Sequence, residues 1–239
     1  MEIPLVVVVL IIGIFSVIQS IFGVGLLVFG TPTFLLLGAS YPEAVGYLLP
    51  SSLLLSAIQT HGFKDKIKIA RGIILYSIPF VFIGMSLIVG TNHHSLIVKM
   101  IGIIMLLLSL IHIIGVEIIF DKIKKFGRIS LMLTGIVHGI SNQGGAMLTI
   151  LMRSIYSDKE KIRTNIAFAY LLFGLSQLSV LLWFDVKIVS WNSIIYGLVT
   201  LTLYQVLGKN LFKSLNQRFF NLIFAIFMIF YGILLIFTG

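Results

Sequence analysis

The sequence predicts an all-α polytopic membrane protein made of two inverted repeats. Each repeat is a broken, re-entrant helical hairpin followed by three transmembrane helices. The first observation behind this is composition: of 239 residues, 59% are hydrophobic and only 10% charged, with a mean hydropathy of +1.12. The second is a pair of interruptions in otherwise apolar helical runs, at Gly23-Val24-Gly25 and at Asn142-Gln143-Gly144-Gly145. Unpaired backbone groups cost several kcal/mol each in hydrocarbon, so such breaks persist only where protein or a polar cavity covers them. The third is the grouping of basic residues into a few short loops, which fixes sidedness.

Elements follow from length. About 30 Å of hydrocarbon needs about 20 apolar residues. The first repeat, 1–116, reads as a hairpin at about 4–37 and helices at about 42–62, 71–91 and 95–116. Pro50 and Pro79 are expected to kink two of them. A charged linker, 117–128, is expected on the cytoplasmic side. The second repeat, 129–239, reads as a hairpin at about 129–154 and helices at about 160–184, 190–208 and 217–238. Its hairpin legs, about 14 and 10 residues, reach roughly 21 and 15 Å, too short to cross singly.

A shift of 119 residues sets Gln19 on His138, Gly23 on Asn142, Gly25 on Gly144 and Gly46 on Asn165. After a gap of five the match resumes with Gly84 on Gly208 and Leu87 on Leu211. Few letters agree, so the repeat rests on the order of elements. If both broken segments turn back, four loops share one face. They carry Lys64, Lys66, Lys68 and Arg71; Lys122, Lys124, Lys125 and Arg128; Arg153, Lys159, Lys161 and Arg163; and Lys209, Lys213 and Arg218. Of the 17 basic residues, only Lys99 and Lys187 then fall elsewhere. Were each segment a crossing, the clusters would divide almost evenly, so the hairpins are favoured. Three crossings per half is odd, which inverts the second half. Both termini are then expected outside the cytoplasm in a multi-pass cell-membrane protein, with hairpin tips meeting near the midplane, an architecture typical of secondary transporters.

The second leg of each hairpin starts near Leu26 and near Ala146, directing free N–H groups and a positive helix end inward. Two such ends make an anion site without arginine. Gly23, Gly25, Gly144 and Gly145 permit close ligand approach, and Asn142 and Gln143 add donors. Glycines at helix crossings also serve plain packing in membranes. Asn165 is a further candidate. His138, one turn before the second tip, is the one ionisable side chain expected near the midplane, a candidate for proton linkage or polar lining with its mate Gln19. A neutral histidine bonded to a neighbouring helix fits equally. Tyr47, Ser51, Ser52, Ser56 and Gln59, and Tyr170, Ser176 and Gln177, read singly as interhelical hydrogen-bonding residues. His61, His93, His94 and His112 fall at helix ends or in a loop.

No acidic residue is expected in hydrocarbon, and no nucleophile–base pair, nucleotide loop or metal-ligand spacing is present, so no enzyme activity, cofactor or metal is expected. The net charge of +9 reflects loops against anionic lipid, not nucleic acid. The start Met1-Glu2-Ile3-Pro4 lacks a basic region, so no cleaved signal peptide is expected.

The run Ser20 to Val28, then Gly30-Thr31-Pro32 and Pro42-Glu43-Ala44-Val45-Gly46, resembles the TauE/SafE sulfite-exporter family of membrane transporters. Gly139 to Gly145 and Lys161 to Asn165 look like its second copy. Both copies depart from the family's usual G-x-G-G-G. The resemblance implies a secondary transporter, an exporter, for a small sulfur-containing anion such as sulfite, thiosulfate or an organosulfonate, bound between the tips. Another small anion such as a carboxylate, or a membrane assembly subunit that transports nothing, are the alternatives. Oligomeric state is left open, a homodimer included.

Overall fold

The computed structural model describes residues 3–61, 67–91, 93–114, 127–186, 191–214 and 217–239, and every regular element among them is helical. The linker expected at 117–128 lies almost wholly outside the described residues, as do Lys64, Lys66, Lys122, Lys124, Lys125 and Lys187; the side chains of Lys68, His112, Lys213 and Arg218 do as well.

Helix α1, Leu5–Phe22, starts after Pro4 and stops where Gly23 turns left-handed (φ 77°), its N–H bonded to Gln19 O at 2.8 Å. Helix α2, Leu26–Leu36, then runs back along α1. The Phe29 ring stacks on Phe15 at 5.8 Å, and Gly25 lies against the backbone of Phe15 and Gln19. This segment is therefore a hairpin. Ser40 and Glu43 close a capping box at the head of α3, Tyr41–Thr60. The next run divides into α4, Ile67–Tyr76, and α5, Ile78–Val89, at Ser77. The division falls just before Pro79, which has no N–H to continue the helix. Helix α6 is His94–Ile114.

Helix α7, Gly127–Ser141, ends at Asn142, whose φ of 60° is the left-handed turn that Gly23 makes in the first half. Its N–H bonds His138 O at 2.8 Å, as that of Gly23 bonds Gln19 O. Helix α8, Gly144–Ile155, doubles back, with Gly144 against His138 and the Thr134 carbonyl. It begins two residues before the expected start near Ala146, so Gly144 and Gly145 form its first turn. Asp158 caps the 25-residue α9, Lys159–Trp183, accepting from Lys161 N at 2.8 Å. Helix α10, Trp191–Leu203, passes through a π-helical turn, Tyr204–Gly208, into α11, Lys209–Ser214, and α12 is Gln217–Thr238.

Helices α1, α4 to α5, α6 and α9 are long and apolar enough to cross a membrane, while α2, α8 and α12 offer shorter apolar lengths. The outer surface is apolar: Val6, Leu10, Leu107, Leu182 and Phe230 are exposed. Trp183, at the end of α9, and Trp191, at the start of α10, are 81% and 86% exposed, as interfacial tryptophans are.

Packing repeats across the two halves. Helices α3 and α9 cross centrally, and α6 pairs with α12 where Gly102 and Gly232 meet backbone to backbone. Helix α7 packs on α5, and α1 on α10. In the first of these contacts Gly84 meets Gly139; in the second Gly208 meets Ser20. Those are the residues that the sequence shifts align.

Candidate functional site

Each hairpin tip carries a buried polar cluster, and the two lie at different heights along α9. Gly23 approaches the Arg163 carbonyl and Ile166, where an added Cβ would lie 2.8 and 3.1 Å away. Asn142 instead accepts a hydrogen bond from Gln177 Nε2 at 2.6 Å. Ile166 and Gln177 are eleven residues apart, about 16 Å of helix. The tips therefore pass one another side by side and do not meet at a point, a correction to the expected geometry.

In the first cluster Gln19 is fully buried. Its Oε1 accepts from Leu26 N at 3.1 Å, capping the start of α2, and its Nε2 donates to Ser56 Oγ at 3.2 Å. Gln59 Nε2 reaches across to the carbonyls of Gln19 and Ser20, at 3.1 and 3.0 Å. Asn165 is fully buried beside this tip; its Nδ2 donates to Lys161 O of its own helix at 2.8 Å, and its Oδ1 has no partner.

In the second cluster His138, Asn142 and Gln143 are all fully buried. The Asn142 amide donates to Thr31 Oγ1 and that of Gln143 to Val28 O, both at 2.8 Å. One N–H of each expected ligand donor thus ties the second hairpin to α2, and Gln143 Oε1 is left without a partner. The His138 ring meets Tyr170 edge-on at 5.2 Å and lies 4.7 Å from Phe173, with the Gln177 side chain beside it. Neither ring nitrogen makes a hydrogen bond of ordinary geometry.

The glycines divide by role. Gly23 is needed for its backbone angle. Gly25 and Gly144 leave no room for a side chain, since a Cβ would lie 2.5 Å from Gln19 N or from His138 Cβ. Both close the hairpins, as the packing reading of small residues requires. Gly145 differs, because what fills the space above it is the Tyr170 hydroxyl, with Val28 alongside.

Tyr170 is the residue that pattern reading undervalued. It is 1% exposed, and its hydroxyl stands against the Gly145 backbone in the first turn of α8, its one polar neighbour there, without a hydrogen bond of ordinary geometry. Ser51, one repeat shift away, also keeps a buried, unpartnered hydroxyl, as do Ser52 and Ser176. A buried hydroxyl without a partner costs about 1–3 kcal/mol, and these four all lie on the central pair, α3 and α9. Gln177 does bond between helices, as expected of it. The signal that could have singled out Tyr170 is its register with Ser51 on the two crossing helices.

A family model described as sulfite exporter TauE/SafE matches residues 6–235, nearly the whole chain. No curated protein matches, and no solved structure does.

Proposed function

From the premise that this chain belongs to the sulfite exporter TauE/SafE family, a family of multi-pass membrane transporters, we propose that it carries a small sulfur-containing oxyanion across the cell membrane by secondary transport. Sulfite, thiosulfate and organosulfonates are the candidate substrates, and no chemical step is involved. The observation that carries this reading is the recurrence of one break in both halves. Gly23 and Asn142 make the same left-handed turn, and Gly25 and Gly144 rest on residues one repeat shift apart. A scaffold has no need of two such polar interruptions in lipid; a carrier with a two-sided site does.

The halves are inverted in this reading, with hairpins entering from opposite faces and both termini outside. Donors come from the hydroxyls of Tyr170, Ser176, Ser51 and Ser52 on the crossing helices, and from the N–H groups at the start of α8. An oxyanion there gains charge-assisted hydrogen bonds and the positive end of the helix dipole. Gly145 leaves the space in which ligand and Tyr170 hydroxyl meet the backbone. Because the clusters are packed closed, transport requires a hairpin to shift against α3 or α9 and open one side at a time.

Flux into liposomes holding the purified protein tests this directly. Sulfite, thiosulfate, taurine, sulfoacetate, sulfate and lactate are offered in turn. Saturable flux of one or more sulfur oxyanions is expected. Flux of lactate alone would move the assignment to a carboxylate carrier, and no flux of any anion would leave an assembly subunit.

A further inference from the structure

Two cavities open where α3 faces the 191–209 segment, one at each end. The first, about 500 Å³, is lined by Ala57, Ile58 and His61 of α3 with Tyr204 and Lys209. The second, about 390 Å³, is lined by Ile3, Pro4 and Leu5 with Tyr47, Asn192 and Tyr196. From Tyr47 to Ile58 is eleven residues, about 16 Å along α3. Between the two cavities the path is shut: Ser16 and Thr200 hydroxyls share a buried hydrogen bond of 2.9 Å, and Gly197 rests against Leu54.

Their chemistry differs. Among the described residues the second cavity has no charged side chain in its lining. The first has His61 and Lys209, whose ammonium lies 5.6 Å from the Tyr204 ring. Arg163 stands nearby. Its guanidinium covers Phe212 at 3.7 Å, and Nη1 donates to Ser20 O at 3.3 Å, at the foot of the first tip. Its Nε is buried without a partner. The acidic neighbour of Arg163, Glu160, is exposed. In the shift that aligns Gly84 with Gly208, Lys209 corresponds to Met85 and Tyr204 to Phe80. The charge belongs to one half and is not part of the repeated scaffold.

We infer that the cavity of His61, Tyr204 and Lys209 is a docking vestibule, at which a small oxyanion is gathered on the basic face of the membrane before it reaches the hairpin clusters. This rests on the transport reading above. An exposed cation such as Lys209 raises the local concentration and arrival rate of an anion without trapping it. At the other end the described lining offers no cation to hold the anion back. The asymmetry lowers the concentration needed to load the basic face, while the gradient sets the direction of net flux.

The test compares sulfite uptake by the full-length chain in inverted vesicles, where the basic face meets the medium, and in right-side-out vesicles. Lys209→Gln is expected to raise KM on the order of fivefold in inverted vesicles only, the effect of one unit charge about 4 Å away in water. Lys209→Arg should restore it, and high salt should erase the difference. Unchanged KM in inverted vesicles, with flux intact, overturns the vestibule and spares the transport reading. No flux of sulfite, thiosulfate or any organosulfonate by the unmodified chain in either vesicle overturns both. A lipid headgroup carries the same oxyanion chemistry, so flux is repeated in phosphatidylcholine liposomes with and without phosphatidylglycerol. An effect of Lys209→Gln that persists without the anionic lipid supports the vestibule, and one that needs the anionic lipid overturns it in favour of a lipid site.

Discussion

Tyr170 carries the heaviest argument of any single side chain. Its ring is held by His138 and Phe173, at 5.2 and 6.2 Å, while its hydroxyl meets only the turn at Gly145. Tyr170→Phe keeps the ring and deletes the hydroxyl. If the group only fills space, nothing in transport should change. If it is a ligand donor, KM for sulfite should rise about tenfold, while thermal stability holds or gains about 1 kcal/mol because an unsatisfied buried group is gone. Parallel flux and melting measurements separate the two. The breaks at Gly23, Gly25, Asn142 and Gly144 were legible as letters, because glycine and asparagine are the residues that tolerate a left-handed turn or a backbone crossing. Tyr170 was not, since what makes it informative is a missing partner, and partners are assigned by tertiary packing. For the same reason the amide hydrogen bonds of Asn142 and Gln143 could not be read in advance.

Helices α2 and α8 are short, and they are held by each other. The Asn142 to Thr31 and Gln143 to Val28 hydrogen bonds join the second tip to the return leg of the first hairpin. In the transport cycle proposed above, that link couples the two elements that move separately. Asn142→Gly suits the φ of 60° at this position, so its cost comes from lost hydrogen bonds and not from backbone strain. Combined with Thr31→Val in a double-mutant cycle, it should give a coupling energy of about 1 kcal/mol in thermal unfolding. Additive losses would mean the bond carries no load. Most helix boundaries fell within a few residues of those expected from apolar length, since hydropathy and capping signals such as Ser40 with Glu43 are local. The division at Ser77 before Pro79 was foreshadowed by the proline. The π-helical turn at Tyr204–Gly208 was not, as no residue there demands it; in the fold it brings Gly208 down onto Ser20.

For the molecule as a whole, composition alone fixed the membrane class, and the family match over residues 6–235 agrees with it. Length could not settle whether the first broken segment crosses, because α1 is long enough to do so, at 18 residues. The chain instead doubles back at both breaks, as the stacking of Phe29 on Phe15 requires. Doubling back in each half, followed by an odd number of crossings, is what inverts the second half in this account. The central claim is therefore that the two hairpins enter from opposite faces, and the absence of native cysteine makes it directly measurable. Leu37, exposed at the outer foot of the first hairpin, and Ser157, exposed at the foot of the second, are replaced singly by cysteine. Intact cells are then treated with an impermeant thiol reagent. Leu37→Cys is expected to label from outside, and Ser157→Cys only after the cells are opened. Labelling of both from the same side would contradict the inverted arrangement.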